Sequence, residues 1–383
     1  MVVKFTKRHF TINTILYKMK AEIHVGFIGA GGIARSHVYA LQSLKFFYDN
    51  VPAIVLESVC SATEASRERF ARQFGFNKAE TEDEFFSNES LDVVFILGPN
   101  KVHFEHLQRV LKMRSVRLVY LEKPVCASEN EEKEMWRIVR ELPPDKKIQI
   151  GFQFMQTSAV REMYAFWKSE KLGRPIHFDL KYYHGDYLQK SYRDKRQTRL
   201  APAPEGGAMA DLGSHGISML LAFLGTELQL VNALQGGRFD DVPDNSDLFS
   251  SIALVDKATG AVGNLSASRV SSGSGDLVEL EIYAEKGMVR YSTCKPDEFE
   301  YYIEDSNQWI TQRVGSNYKP VTSFPSGHVS PGWLRSLIHA HYIFLNGSDD
   351  KSFNADLKHG LEVQRIVRET ATYLSTFRKI FKD

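Results

Sequence analysis

Cysteine is scarce: three in 383 residues, Cys60, Cys126 and Cys294, with no Cys-x-x-Cys pair to hold a metal or run a redox exchange. A reduced, cytoplasmic protein is the expectation that follows. Long apolar runs are missing too. Stretches such as Ile217 to Leu224 fall well short of the roughly 18 to 20 residues that span a bilayer, so no membrane segment is expected. Neither charge is in excess, with 48 Lys plus Arg against 47 Asp plus Glu, and a net charge of +1 offers no field for nucleic acid or an anionic membrane. A small neutral ligand suits that balance. The chain also lacks internal repeats, low-complexity tracts and the Gly-x-Ser-x-Gly elbow of many serine hydrolases, so Ser214 beside His215 is no hydrolase signal.

What is there is ordinary globular usage, 43% hydrophobic, 12% aromatic and 25% charged, at a length that suggests two domains. Residues 1–21 carry Lys4, Lys7, Arg8, Lys18 and Lys20 and no acid, but one Arg and no Ser argue against a transit peptide, and the segment reads as a tail. Over residues 22–150, apolar runs at Ile23 to Ile28, Ile54 to Cys60, Val93 to Leu97, Leu118 to Leu121 and Ile148 to Gly151 alternate with helical patterns at Ser66 to Phe74, His103 to Lys112 and Glu129 to Glu141. Strands that are apolar throughout belong to a parallel sheet covered on both faces. Over residues 151–383 the pattern changes. A helix at Val160 to Trp167 runs to Gly173, then period-two segments follow at Ile176 to Tyr183, Leu228 to Leu234, Ser251 to Val255, Val262 to Ser268 and Val278 to Ile282, before a closing helix with Leu357, Leu361, Ile366 and Thr370 on one side. The fold class is therefore α/β: an N-terminal doubly wound parallel sheet of Rossmann type, then an α+β domain with a large, open, mostly antiparallel sheet.

The first strand runs straight into Gly29-Ala30-Gly31-Gly32-Ile33-Ala34, a Gly-x-Gly-x-x-Gly/Ala turn opening a helix. Gly29 permits the turn, Gly31 and Gly32 let the backbone near a pyrophosphate, and Ala34 lets helix and strand pack closely. Where a ribose-binding acid normally ends the second strand, Cys60-Ser61-Ala62-Thr63 stands. Ser61, Thr63 and Arg67 could cradle a 2′-phosphate, so between NADP and NAD the reading leans to NADP; the alternative makes Arg67 and Arg69 a solvated helix face.

The strand Leu118 to Leu121 delivers Glu122-Lys123-Pro124 to its carboxyl end, where open parallel sheets bind ligands, so Lys123 points to the cleft. A second cluster spans Gly206 to His215. If it opens a helix, Asp211 and His215 stand four apart on one face and can address one small molecule. No metal site is expected, because His103 and His106 lack a third ligand in spacing. His339 and His341 read as structural, and Trp309 and Trp333 as packing residues.

These residues resemble the Gfo/Idh/MocA oxidoreductases over nearly the whole chain beyond Glu22. The resemblance rests on the Gly29–Ala34 turn, Asp92 to Ile96 leading to Pro99-Asn100 and His103, Glu122-Lys123-Pro124, Gly151-Phe152-Gln153, and Asp211-x-Gly213-x-His215. It implies an NAD(P)-dependent dehydrogenase or reductase acting on a hydroxyl or carbonyl of a sugar, cyclic polyol or dihydrodiol-like compound. It further implies that Lys123 touches nicotinamide ribose and substrate, Asp211 orients the reacting hydroxyl, His215 exchanges its proton, and Pro99, Asn100, His103, Glu122 and Gln153 line the cofactor. Subunit contacts, giving a homodimer or homotetramer, would form through the C-terminal sheet. Three departures stand out: Gly98 where many members carry Thr, the missing ribose acid at Ser61, and no recognisable pattern from His184 to Glu205. In that last stretch Lys190, Arg193, Lys195, Arg196 and Arg199 could meet an anionic substrate, with a solvated loop the preferred reading. A non-catalytic NAD(P)-binding sensor of the same fold, or a sugar–sugar oxidoreductase with tightly held NADP, are the alternatives.

Overall fold

Val93–Ile96 and Leu118–Leu121 offer water no polar face, and every one of these residues is buried. In the computed structural model, which describes residues 21–48, 51–169, 171–202, 206–237, 239–314, 331–347 and 353–380, they are inner strands of a parallel sheet. Its members are β1 (Glu22–Ile28), β2 (Ala53–Cys60), β3 (Lys78–Glu80), β4 (Val93–Ile96), β5 (Leu118–Leu121) and β6 (Lys147–Ile150), in the order β3-β2-β1-β4-β5-β6. The order reverses between β1 and β4, the switch point where such sheets open a crevice. Helices α1 (Gly32–Phe47), α2 (Glu64–Phe74), α3 (Glu82–Phe86), α4 (His103–Lys112) and α5 (Glu129–Glu141) connect these strands. β3, only three residues long, carries no apolar run and was not legible in the sequence.

α6 (Ser158–Trp167) ends at Trp167, short of the expected stop at Gly173; Gly173, at φ 76°, instead turns the chain toward the next strand. The second sheet holds β7 (Pro175–Tyr183), β8 (Leu228–Gly236), β9 (Phe249–Asp256), β10 (Val262–Ser268), β11 (Leu277–Ala284), β12 (Gly287–Ser292), β13 (Glu298–Ile303) and β14 (Gln308–Arg313). Its order is β14-β13-β12-β11-β7-β10-β9-β8, antiparallel at every junction except the parallel pair β7–β10. The period-two pattern is explained by burial: Phe178, Leu180 and Tyr182, Val278, Leu280 and Ile282, and Leu265 and Ala267 face inward, while Asp179, Lys181, Glu279 and Glu281 alternate with them.

Between β7 and β8 lie α7 (Lys190–Asp194) and α8 (Ser214–Leu224), and after β14 come α9 (Pro331–Asn346) and α10 (Leu357–Ile380). α10 contributes Leu361, Ile366 and Val367 to a core shared by both sheets, with Val119 and Ile150 of the first and Leu180 and Leu265 of the second. α9 returns to the first sheet, although it lies far beyond residue 150: Leu337, Ile338, Phe344 and Leu345 share a core with Val25, Phe27 and Leu41. The tail read at residues 1–21 lies outside the described residues up to residue 20. No helix among the described residues is long and apolar enough to cross a membrane.

Candidate active site

The nucleotide end is made by backbone. Gly29 adopts φ 121°, and a Cβ there would lie 2.7 Å from the Leu97 carbonyl oxygen, so only glycine lets β1 turn this close to β4. Gly31 and Gly32 are exposed with no atom within 4 Å of a built Cβ, and Gly31 caps α1 without any side-chain bond to the helix. Open backbone at a helix N-terminus, at the sheet's switch point, fits the pyrophosphate of a dinucleotide. Ile33 is half-buried beside it. At the end of β2, the Ser61 hydroxyl donates to the Thr63 carbonyl at 3.3 Å, Thr63 caps α2, and Arg67 lies half-buried in its first turn.

Of the other residues expected around a cofactor, Pro99 is exposed and Asn100 half-buried on the loop after β4. His103 is 1% exposed, wedged between the carbonyls of Pro124 (2.7 Å) and Gly98 (2.9 Å), so it ties the ends of β4 and β5 together. Its neutral ring donates to one of them at a time, since burial pushes its pKa down. Glu122 is also turned inward. One carboxylate oxygen accepts from the Lys123 backbone N–H at 3.2 Å and the other from His37 Nε2 at 3.0 Å. His37 Nδ1 in turn meets His341 Nε2 at 2.8 Å, so the buried chain joins β5, α1 and α9. Toward the Glu122 carboxylate, which can only accept, His37 donates through Nε2. Gly151 makes room for it, since a Cβ there would sit 2.7 Å from Glu122 Oε1. The Gln153 amide, oriented by its partners, donates to the Gly151 carbonyl and accepts from Trp333 Nε1, so Trp333 does more than pack.

Lys123 leaves this inner layer and crosses to the second domain. Its ammonium donates to Asp211 Oδ1 at 2.7 Å and to the Asp211 carbonyl at 2.9 Å. Residues 211 and 215 do share a helical segment, but not a regular α-helix. Met209–Gly213 forms a π-helical turn before α8 begins, and such turns re-aim groups at functional sites. Asp247 secures the turn by accepting from the Met209 N–H at 3.0 Å.

Two further cations meet Asp211. Arg199 donates to Oδ1 at 2.8 Å, and Arg269 donates to Oδ2 at 2.7 Å and to the Arg199 carbonyl at 2.6 Å. Burial pushes the Asp211 carboxyl up, but Lys123, Arg199 and Arg269 more than offset it and hold it well below the usual carboxylate range. Asp211 is thus a fixed anion, not a base. His215 has the opposite surroundings: Phe152 and Phe154 present their edges or faces at 5.8 and 5.3 Å, Tyr182 lies at 6.1 Å, and Nδ1 is buried with no hydrogen-bond partner among the described residues. Burial first, then the Lys123 ammonium, push its pKa well below the usual 6.5, so the ring is neutral at physiological pH and able to accept a proton.

Sequence reasoning brought Lys123, Asp211 and His215 together, and the structure does so. Arg199 is exposed, as expected of its loop, but its ion pair with Asp211 was not foreseen, and Arg269 and His37 were not singled out. Arg269, the residue just after β10, is 0% exposed, and nothing in its local sequence announces a buried guanidinium. Of the other basic residues in that loop, Lys190 and Lys195 are exposed as expected, but Arg193 is 4% exposed and buried against Asp241 at 2.8 Å, so the solvated reading fails there.

Two family models match the chain: GFO_IDH_MocA, described as an oxidoreductase family with an NAD-binding Rossmann fold, over residues 23–151, and the GFO/IDH/MocA C-terminal domain over residues 160–290. Levoglucosan dehydrogenase of Pseudarthrobacter phenanthrenivorans is 25% identical over 311 residues, 73% of this chain and 75% of that protein. Glucose-6-phosphate 3-dehydrogenase of Bacillus subtilis is 26% identical over 199 residues, 51% of this chain and 52% of the relative. A structure of levoglucosan dehydrogenase with NADH and levoglucosan is similar at TM-score 0.74 and 21% identity, over 92% of this chain and 97% of that one. An inositol dehydrogenase homologue with NAD+ from Azotobacter vinelandii gives 0.75 at 16% identity, over 94% and 97%. At such identities the structural likeness speaks for the fold.

Proposed function

The chain belongs to the Gfo/Idh/MocA oxidoreductases, and from that premise we propose that it oxidises a hydroxyl, or reduces the matching carbonyl, on a sugar or cyclic polyol with a nicotinamide cofactor. The observation that carries this reading is the Lys123–Asp211 pair at 2.7 Å, which joins the nucleotide domain to the substrate domain beside a neutral, buried His215. Bound nicotinamide supplies the hydride acceptor or donor at its ring carbon.

The chain's own residues handle the oxygen and its proton. Two N–H bonds of Lys123 are held by Asp211, which leaves a third for the substrate oxygen, where positive charge stabilises developing alkoxide. The neutral His215 imidazole takes the hydroxyl proton during oxidation and returns it during reduction. Asp211 keeps Lys123 aimed, and the aromatic walls around His215 exclude water. The assay is hydride transfer to NAD and NADP across a panel of sugars and polyols, followed by cofactor absorbance. Lys123→Ala and His215→Ala are the controls, and unchanged turnover in both rejects these roles.

The lean to NADP rests on Ser61 and Arg67 standing where a ribose-binding acid is absent. Arg67→Ala then lowers kcat/KM for NADP more than for NAD; an equal effect on both removes the preference. The homodimer or homotetramer is kept as part of the reading, built through the second sheet, where Val262 is 54% exposed on β10. Sedimentation of the purified chain as a monomer overturns that assembly.

A further inference from the structure

We propose that the substrate carries an acidic group, a phosphate or a carboxylate, and that Arg199 receives it. The inference rests on the site being the substrate pocket of an oxidoreductase, and it departs from the small neutral ligand that the overall charge balance suggests. Lys123, Arg199 and Arg269 converge on the single carboxylate of Asp211 at 2.7, 2.8 and 2.7 Å, so among the described residues the cluster holds two positive charges in excess.

The three cations are not equivalent. Arg269 is 0% exposed, spends its terminal nitrogens on Asp211 and the Arg199 carbonyl, and lies with its guanidinium 4.6 Å from the Tyr187 ring centroid, so it belongs to the frame. Lys123 is committed to the reacting oxygen. Arg199, by contrast, has a side chain 50% exposed, and among the described residues its guanidinium makes one hydrogen bond, to Asp211. A planar fork with most of its N–H groups still to be satisfied is built for a bidentate oxyanion, and its partial exposure makes the desolvation cost small.

The acids that also face this region are engaged elsewhere. Glu122 turns to His37 at 3.0 Å, Asp276 accepts from the Tyr182 hydroxyl at 3.3 Å, and Asp186 lies 3.9 Å from His184 Nδ1. Arg193, from the same loop as Arg199, shows what a structural arginine looks like here: buried, with Asp241 as its own carboxylate at 2.8 Å. Arg199 has only a share of Asp211.

The experiment uses matched substrates: glucose with glucose 6-phosphate and glucuronate, and myo-inositol with its monophosphate. For each, kcat/KM is measured with both cofactors, and the dissociation constant is measured by calorimetry on protein loaded with NADH. The wild type is expected to favour an acidic member of a pair by about tenfold or more, Arg199→Met to bring the ratio near one, and Arg199→Lys to keep part of it. The phosphate and carboxylate arms show which oxyanion is read. Preference for the neutral member, a ratio untouched by Arg199→Met, or no binding of any acidic member overturns the inference. Turnover of neutral sugars with no acidic preference sinks this inference alone. Selective binding of an acidic member without any turnover keeps it and sinks hydride transfer.

Discussion

The two ends of this cleft are built by opposite means. At the nucleotide end the backbone makes the site, with Gly29 turning at φ 121° and Gly31 and Gly32 left open at the start of α1. At the substrate end side chains make it, with one carboxylate, Asp211, gathering Lys123, Arg199 and Arg269 from segments 88, 12 and 58 residues away. The first kind of site needs a short run of small residues. The second needs the whole fold in place before any of its charges is neutralised, so its energetics are coupled to stability as well as to chemistry.

Substitutions should separate the two. The largest effect is expected at the substrate end: Lys123→Met removes the charge beside the reacting oxygen and lowers kcat by about a thousandfold, read from the rate of cofactor reduction. His215→Asn should lower it by roughly a hundredfold or more. In the wild type the oxidation rate should hold as pH falls through 6.5 and decline only well below it, because His215 must be neutral to accept the proton and its pKa is pushed down. An acid limb centred above that value would remove His215 as the base.

Asp211→Asn tests the coupling of charge to stability. It strands Arg269, 0% exposed, and should cost on the order of 3 kcal/mol, seen in chemical denaturation. The folded-state pKa of Asp211 is depressed, so the stabilisation it gives is complete above its unfolded value of about 3.9 and fades as pH falls through the folded one.

The nucleotide end should respond in a split manner. Gly29→Ala places a Cβ 2.7 Å from Leu97 O at a positive φ and should cost about 1–3 kcal/mol. In Gly31→Ala the added Cβ meets no atom within 4 Å, so the melting temperature should barely move while NADH affinity falls about tenfold or more, measured by calorimetry. Equal loss of stability in both would mean that the turn is a folding element and not a cradle. A separate effect, seen only in acid, is expected at His359, whose pKa burial lowers to about 4. Its contribution is intact above the unfolded value near 6.5 and is lost between there and about 4, because the unfolded chain takes the proton first. A His359→Gln variant with a shallower fall in melting temperature over that interval checks it.

The same contrast explains what was readable. The strand-turn-helix at Ile23 to Ala34 is local, and so are the four apolar residues of β4 and β5, the helix α4 and the alternation along β10; steric and solvation rules act on neighbours in the chain, so these elements could be read directly. β3 was lost because three residues give no periodicity, and the end of α6 because a glycine several residues downstream is a weak stop. The ion pair of Arg199 was missed for a different reason. A run rich in Lys and Arg is usually solvated, and its two true structural partners, Asp211 and the Arg269 guanidinium, are specified by distant segments.

By itself the sequence determined a parallel sheet, a mostly antiparallel partner sheet and a glycine turn of dinucleotide type, because backbone sterics and apolar periodicity are properties of short segments; that Lys123 and His215 serve one site was implied only by the family resemblance. Only the tertiary structure decided that Asp211 would be a fixed anion with three cations, that His215 would sit neutral among aromatic rings, and that Glu122 would face His37. Those outcomes depend on which charges meet at under 3.5 Å with water excluded, and Coulomb energy in a protein interior is set by that proximity and burial, which no local pattern records.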